Sequence, residues 1–280
     1  SNGKYSRKPW FGCACCPSNV SRFIPSLPGY VYAVKDNQVY VNLYLSNKAE
    51  LIVNKKKVVL EQETGYPWNG DIRVKVAQGN QEFALKLRIP GWVRNEVLPS
   101  GLYSYADNQK PTYRIIVNGQ ETANTLNNGY LSIERKWKKG DVVKIHFDML
   151  PRIVKANEKV VDDKGRVSVE RGPIVYCAEW PDNKCNVHTV LLNQHPQFKV
   201  VEKPELLYGI SQLKTDAQAL SYDKNGKLIT KDTELTLIPY YAWAHRGEGD
   251  MKVWLPIDVS AASALPQEVQ KWEDNGFFKN

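Results

Sequence analysis

The chain is poor in the residues that usually carry metal or redox chemistry. It has four histidines, two methionines and five cysteines in 280 residues. An odd cysteine count rules out a framework of intramolecular disulfides that uses every thiol. No stretch of eighteen apolar residues is present, which excludes a membrane-spanning helix, and the polar, basic start from Ser1 to Lys8 lacks the apolar core of a signal peptide. The opening residue is not methionine, which reads as a fragment of a longer chain, and the compartment stays open. Internal repeats, which would announce a solenoid or propeller, are also missing.

What is there indicates a folded protein. Hydrophobic residues make up 42%, with 15 tyrosines and 8 tryptophans, a composition that disordered chains lack. The length exceeds what one core usually fills, so two domains are expected. The formal charge is +8, with short basic clusters at Lys55-Lys56-Lys57 and Arg135-Lys136-Trp137-Lys138-Lys139. These flank predicted strands and match no nucleic-acid-binding signature, so nucleic acid is not an expected partner. An acidic polysaccharide is compatible with the same charge.

Three of the five cysteines fall within four positions, in Trp10-Phe11-Gly12-Cys13-Ala14-Cys15-Cys16-Pro17-Ser18-Asn19-Val20. Neighbouring cysteines bridge each other only with strain. The residues leave three readings open: zinc binding or nucleophilic chemistry, a Cys13/Cys16 redox pair, and inert buried thiols. The redox reading lacks the surrounding β-α-β unit. Pro17 suits a first helical turn, so Ser18–Leu27 is expected to be a short helix with its N-terminus toward the thiols, an arrangement that lowers thiol pKa values. Phe23, Ile24 and Leu27 form its apolar stripe, interrupted by Pro25 and ended by Pro28-Gly29. Nothing downstream supplies a helix to cover that stripe.

From Gly29 the hydrophobic period becomes twofold. Short runs of Val, Ile, Leu and Tyr alternate with Gly, Asn and Pro turns, Asn118-Gly119 and Asn128-Gly129 among the clearest. The fold class expected is mainly β: two consecutive antiparallel β-sandwich domains, 29–152 and 153–257, after a helical stretch 1–28 and before a polar tail 258–280 that is helical or partly disordered. His146, His188, His195 and His245 lie on predicted strands or loops as ordinary surface residues. Cys177 and Cys185 flank a turn, where a disulfide and a pair of one buried and one exposed thiol are both open readings. Trp68, Trp92, Trp137 and Trp243 are candidate sugar-stacking faces, with Trp92 expected in the core.

Cys13-x-Cys15-Cys16-Pro17-x-Asn19, followed by Gly29-Tyr30-Val31-Tyr32, resembles the cysteine-dependent β-L-arabinofuranosidases of glycoside hydrolase family 127. Leu87-Arg88-Ile89-Pro90-Gly91-Trp92, Glu170-Arg171-Gly172-Pro173-Ile174-Val175-Tyr176-Cys177 and Pro239-Tyr240-Tyr241-Ala242-Trp243-Ala244-His245-Arg246-Gly247 look like the same family. The resemblance implies an α/α-barrel catalytic domain followed by two β-sandwiches, with this chain starting at the barrel's last loop and helix. It implies Cys15 as nucleophile, Cys15 and Cys16 as zinc ligands, and Cys13 in a supporting role. The family's acid/base glutamate and remaining zinc ligands lie in the barrel and have no counterpart here. Glu61, Glu63, Glu170 and Glu179 are therefore read as exposed strand carboxylates, and this chain alone is expected to be inactive and to hold zinc weakly. The implied partners are an arabinose-containing or related plant glycan, the missing N-terminal barrel and, as an open possibility, a second copy in a homodimer. A bacterial cytoplasmic or periplasmic location is implied. The alternative is a non-catalytic sandwich pair for carbohydrate binding or structural support.

Overall fold

The structure is a computed structural model that describes residues 12–13, 15–122 and 125–262. The expected tail beyond residue 262 lies outside these, as do Trp10, Phe11 and Ala14 of the cysteine motif. The described chain is mainly β, as its twofold patterning requires, and it divides into two compact units.

The first unit comprises the described residues up to Glu96 together with Gln109–Met149. It opens with a helix, α1, at Cys15–Ser26, followed by a single turn at Pro28–Val31. The helix starts at Cys15, ahead of the expected Ser18, and it runs through Pro25 to within one turn of its end. A five-stranded sheet follows the order Tyr32–Lys35, Gln38–Val41, Asn80–Arg88, Tyr130–Lys138, Leu126–Asn127. Its one parallel pairing joins Gln38–Val41 to Asn80–Arg88, and the other pairings are antiparallel. A six-stranded antiparallel sheet has the order Asn47–Val53, Lys56–Thr64, Asp71–Gln78, Val142–Phe147, Tyr113–Val117, Gln120–Glu121.

Alternation gives each strand of the six-stranded sheet two distinct faces. Ile72, Val74 and Val76, then Val143, Ile145 and Phe147, then Ile115 and Val117 are buried. The intervening Asp71, Arg73, Lys144, His146 and Arg114 keep contact with solvent. The five-stranded sheet buries Val39, Val41, Leu85, Leu87, Leu131 and Ile133. Trp137 is fully enclosed, its Nε1 donating to the Phe83 carbonyl at 3.0 Å. Removing such a side chain from water stabilises the fold by about 1.5–3 kcal/mol, and its one polar atom is satisfied. Trp92 is buried as expected, donating from Nε1 to Tyr66 Oη at 3.2 Å beside Phe147. These two indoles are core residues and offer no sugar platform.

One turn of this unit shows why its Asn-Gly pairs matter. Asn118 and Gly119 both adopt positive φ, 49° and 87°, a conformation that glycine and asparagine tolerate best. Asn118 then donates to the Asp141 carboxylate at 2.9 Å and accepts from the Val142 amide at 2.8 Å, while the Lys138 amide also donates to Asp141 at 2.9 Å. Burial works to raise the Asp141 carboxyl, but these donors and Arg135 outweigh it and hold the group below the usual carboxylate range.

The second unit comprises Val97–Asn108 and the chain from Leu150 onward. Its strands join one ten-stranded network and do not form two separate sheets. The main path runs Val190–Leu192, Ile210–Tyr222, Leu228–Pro239, Ile174–Glu179, Arg166–Arg171, Pro151–Ala156, Tyr103–Tyr105, with three short strands attached to it. The central hairpin pairs strands of 13 and 12 residues around Asp223–Gly226, where the Asp223 side chain accepts from the Asn225 and Lys227 amides. Val169, Tyr176, Leu192, Leu213, Leu235 and Leu237 form its main core. The segment Val97–Asn108 falls inside the range expected for the first sandwich, yet it joins this second sheet. Tyr103–Tyr105 pairs with Pro151–Ala156, Tyr105 Oη meets Glu170 at 3.1 Å, and the Arg152 guanidinium lies 3.4 Å over the Tyr105 ring while holding Asp107 at 2.9 Å.

Candidate functional site

The first turn of α1 carries Cys15 and Cys16, and Cys13 lies just ahead of it. Cys15 Sγ lies 3.3 Å from Cys13 Sγ and 3.8 Å from Cys16 Sγ, and all three side chains are exposed. The motif residues downstream fix the backbone that carries them. Asn19 Nδ2 and Ser18 Oγ both donate to the Cys15 carbonyl, at 2.9 and 3.1 Å, and Arg22 reaches the Asn19 side chain at 3.3 Å. Ser and Asn favour helix starts because their side chains satisfy local backbone groups.

The helix N-terminus was expected to depress the thiol pKa values. The Cys15 thiol is instead held above its ordinary value, first by its hydrogen bond with Cys13 and then by that with Cys16, because both stabilise the protonated form. Backbone donors pull the other way and are outweighed. A cation bound beside Cys15 would favour its thiolate form.

Zinc is such a cation, and the donor set fits it in part. Two sulfurs of a tetrahedral site with bonds near 2.3 Å stand about 3.8 Å apart, the separation of Cys15 and Cys16. Structural zinc takes four ligands. Among the described residues no group of three or more His, Cys, Asp or Glu side chains is arranged to hold a metal ion.

The other ionisable candidates sit elsewhere in the two units. His146 stands between two carboxylates, Nδ1 2.7 Å from Asp71 and Nε2 3.3 Å from Asp148. His188 faces Asp250 at 3.5 Å, while His195 and His245 are exposed. Glu61 and Glu63 are strand carboxylates paired with Lys48 and Arg73. Glu170 and Glu179 correct the expectation of exposed groups. Burial raises the Glu170 carboxyl against the lowering effect of Tyr105 and Arg152. Glu179 is fully buried, accepts from the Ala244 amide at 2.6 Å and binds Arg246, which also holds Asp182 at 2.8 Å. A carboxylate pinned in this way anchors the Pro239–Gly247 segment.

Cys177 and Cys185 are free thiols, one buried and the other half-buried. Burial pushes the Cys177 thiol up to about 12, which leaves it inert. Trp68 is exposed, and Trp243 stacks on Tyr240 with ring centroids 6.3 Å apart.

The helix also presents an apolar face that the described residues leave exposed. Val20, Phe23 and Ile24 are each about half exposed on α1, at the i, i+3, i+4 spacing of one helical face. Leu27 is only partly covered.

Comparison with known proteins gives a consistent picture. Residues 38–149 match the domain described as the β-L-arabinofuranosidase GH127 middle domain, and residues 151–256 match the glycoside hydrolase family 127 C-terminal domain. A non-reducing end β-L-arabinofuranosidase of Bifidobacterium longum subsp. longum is 30% identical over 268 residues, covering 89% of this chain and 38% of that protein. The solved structure of a GH127 β-arabinofuranosidase, BT3674, superposes with a TM-score of 0.90 at 81% identity, covering 94% of this chain and 42% of that one. The structure of Ara127N, a GH127 β-L-arabinofuranosidase from Geobacillus stearothermophilus T6, gives 0.78 at 33% identity, with 90% and 39% covered. The chain thus spans about two fifths of the length of these relatives. Over residues 38–256 the chain belongs to glycoside hydrolase family 127, carrying that family's middle and C-terminal domains.

Proposed function

We propose that this chain is the C-terminal portion of a retaining β-L-arabinofuranosidase that acts on plant-derived glycans, with Cys15 as nucleophile and Cys15 and Cys16 as zinc ligands. The observation that carries the reading is the convergence of three exposed thiols at the start of α1, in a chain otherwise made of family 127 domains. The half-exposed apolar stripe of α1 supports an upstream helical domain as its cover, in keeping with the greater length of the relatives.

Zinc, when bound, keeps its sulfur ligands deprotonated at neutral pH. The nucleophilic displacement falls to Cys15. In a retaining hydrolysis Cys15 Sγ attacks the anomeric carbon, the bond to the leaving oxygen breaks, and a general acid protonates that oxygen. Water then attacks the same carbon, the carbon–sulfur bond breaks, and the water's proton passes to the group that served as acid. Ser18 and Asn19 act as positioning residues by holding the Cys15 carbonyl, and Cys13 supports Cys15 Sγ from 3.3 Å. The acid/base is assigned to the upstream domain, since Glu61, Glu63, Glu170 and Glu179 all serve strand or ion-pair roles here.

The test is turnover of an aryl β-L-arabinofuranoside by the reduced, zinc-loaded parent enzyme and its Cys15→Ala variant. The reading requires turnover by the parent and loss of at least a thousandfold in the variant. Retention of activity by Cys15→Ala, or no release of arabinose from any arabinofuranoside by the parent, overturns it. The present chain alone is expected to release none.

A further inference from the structure

The outward face of the six-stranded sheet carries an open groove of about 580 Å³, edged by Thr64, Asn69, Arg73, Arg114, Lys144 and His146. That volume lies within the roughly 300–1,000 Å³ common for small-ligand sites. Register explains how residues distant in sequence meet there. Lys144 lies between Arg73 and Ile116, and His146 lies between Asp71 and Arg114, on adjacent rows of three neighbouring strands.

Of the carboxylates around this groove, only Glu63 is paired with a permanent cation, while Asp71 and Asp148 share one imidazole that carries charge only when protonated. Glu63 holds Arg73 at 3.0 Å, and Asp71 and Asp148 face the two ring nitrogens of His146. Arg114 and Lys144 are both exposed and have no carboxylate partner among the described residues. They are diagonal neighbours on one sheet face, a relation that separates side-chain origins by about 7–8 Å. A carboxylate between them would meet a planar guanidinium fork on one side and an ammonium on the other. Asn69 adds an amide, Ile116 an apolar surface, and the exposed Trp68 precedes Asn69 in the same turn. Hydroxyls, an apolar ring face and one carboxylate occur together in a uronic acid.

We propose that this groove binds a carboxylate-bearing oligosaccharide, independently of the thiol site. The choice of a sugar over other carboxylates rests on the glycan-hydrolase reading above, whereas the choice of an anion rests on Arg114 and Lys144 alone.

The experiment is calorimetric titration of the chain, and of the parent enzyme, with trigalacturonate, neutral arabinotriose and inorganic sulfate. The expected result is binding of trigalacturonate that weakens as salt rises and falls at least tenfold in the Arg114→Gln/Lys144→Gln double variant. Arabinotriose should bind at least tenfold more weakly than the uronate. Unchanged thermal unfolding of the double variant certifies that its fold is intact. Equal binding of the neutral sugar, equal binding of sulfate, undiminished binding by the double variant, or no binding of the uronate by chain or parent overturns the inference. The two proposals fail separately. A parent that turns over arabinofuranoside but binds no uronate removes this one, and a parent that binds uronate but releases no arabinose removes the catalytic one.

Discussion

Replacing Arg246 by methionine tests the buried ion cluster of the second unit. The Glu179 and Asp182 side chains are only 2% and 8% exposed, and Arg246 is the cation they share. Hydrogen bonding to Asp182, and then to Glu179, outweighs burial and holds the guanidinium firmly charged. Arg246→Met keeps an apolar stem of similar reach and strands two carboxylates away from water. Breaking a buried pair in this way costs about 3–5 kcal/mol, or about 10–20 °C in Tm for a unit of this size. Urea titrations at pH 7 read this directly, and adding Glu179→Gln should recover part of the loss, because it removes one of the two stranded charges. A deficit below about 1 kcal/mol would refute the reasoning.

Three further outcomes are expected. Gly70→Ala should lower stability by more than about 2 kcal/mol, measured by chemical denaturation, because a Cβ there would lie 1.9 Å from the Phe147 carbonyl oxygen, which belongs to backbone. Thiol labelling at pH 8 under native, metal-free conditions should modify Cys13, Cys15 and Cys16 and spare Cys177, whose buried thiol sits at about 12; intact-protein mass spectrometry with and without urea distinguishes the sets. Asp141→Asn should destabilise the first unit at pH 7 and do so progressively less on acidification. The depressed Asp141 carboxyl adds stability that is present above the unfolded value near 3.9 and is lost as pH falls through the folded one.

The alternation of Ile72, Val74 and Val76, or of Val143, Ile145 and Phe147, was legible because one face of each strand is buried and the other wet. The long hairpin was only half legible. Leu235 and Leu237 announce the inner half of Leu228–Pro239, but Ile229, Thr230, Lys231 and Asp232 are exposed and leave no twofold contrast to read. The thiol cluster was visible because its members are adjacent in sequence. The upward shift of the Cys15 thiol was not, since its hydrogen bonds with Cys13 and Cys16 outweigh the backbone donors. Burial of Glu179 depends on Ala244 and Arg246, 65 and 67 residues away. The groove escaped notice for the same reason: Arg73, Arg114 and Lys144 become neighbours only through strand register.

The passage of Val97–Asn108 into the second sheet changes what counts as a separable piece of this protein. Family boundaries place a division at residue 150, where one matched domain ends and the next begins. Among the described residues the chain crosses between its units three times, at Glu96, at Asn108 and at Met149. A polypeptide beginning at Leu150 would lack Tyr103–Tyr105, and with it the backbone partner of Pro151–Ala156, the hydroxyl that faces Glu170 and the ring beneath Arg152. Its bare edge would invite pairing with another copy. The two units are thus bound by covalent threading into one inheritable block, and exchange of either between proteins would have to carry the twelve-residue insertion along.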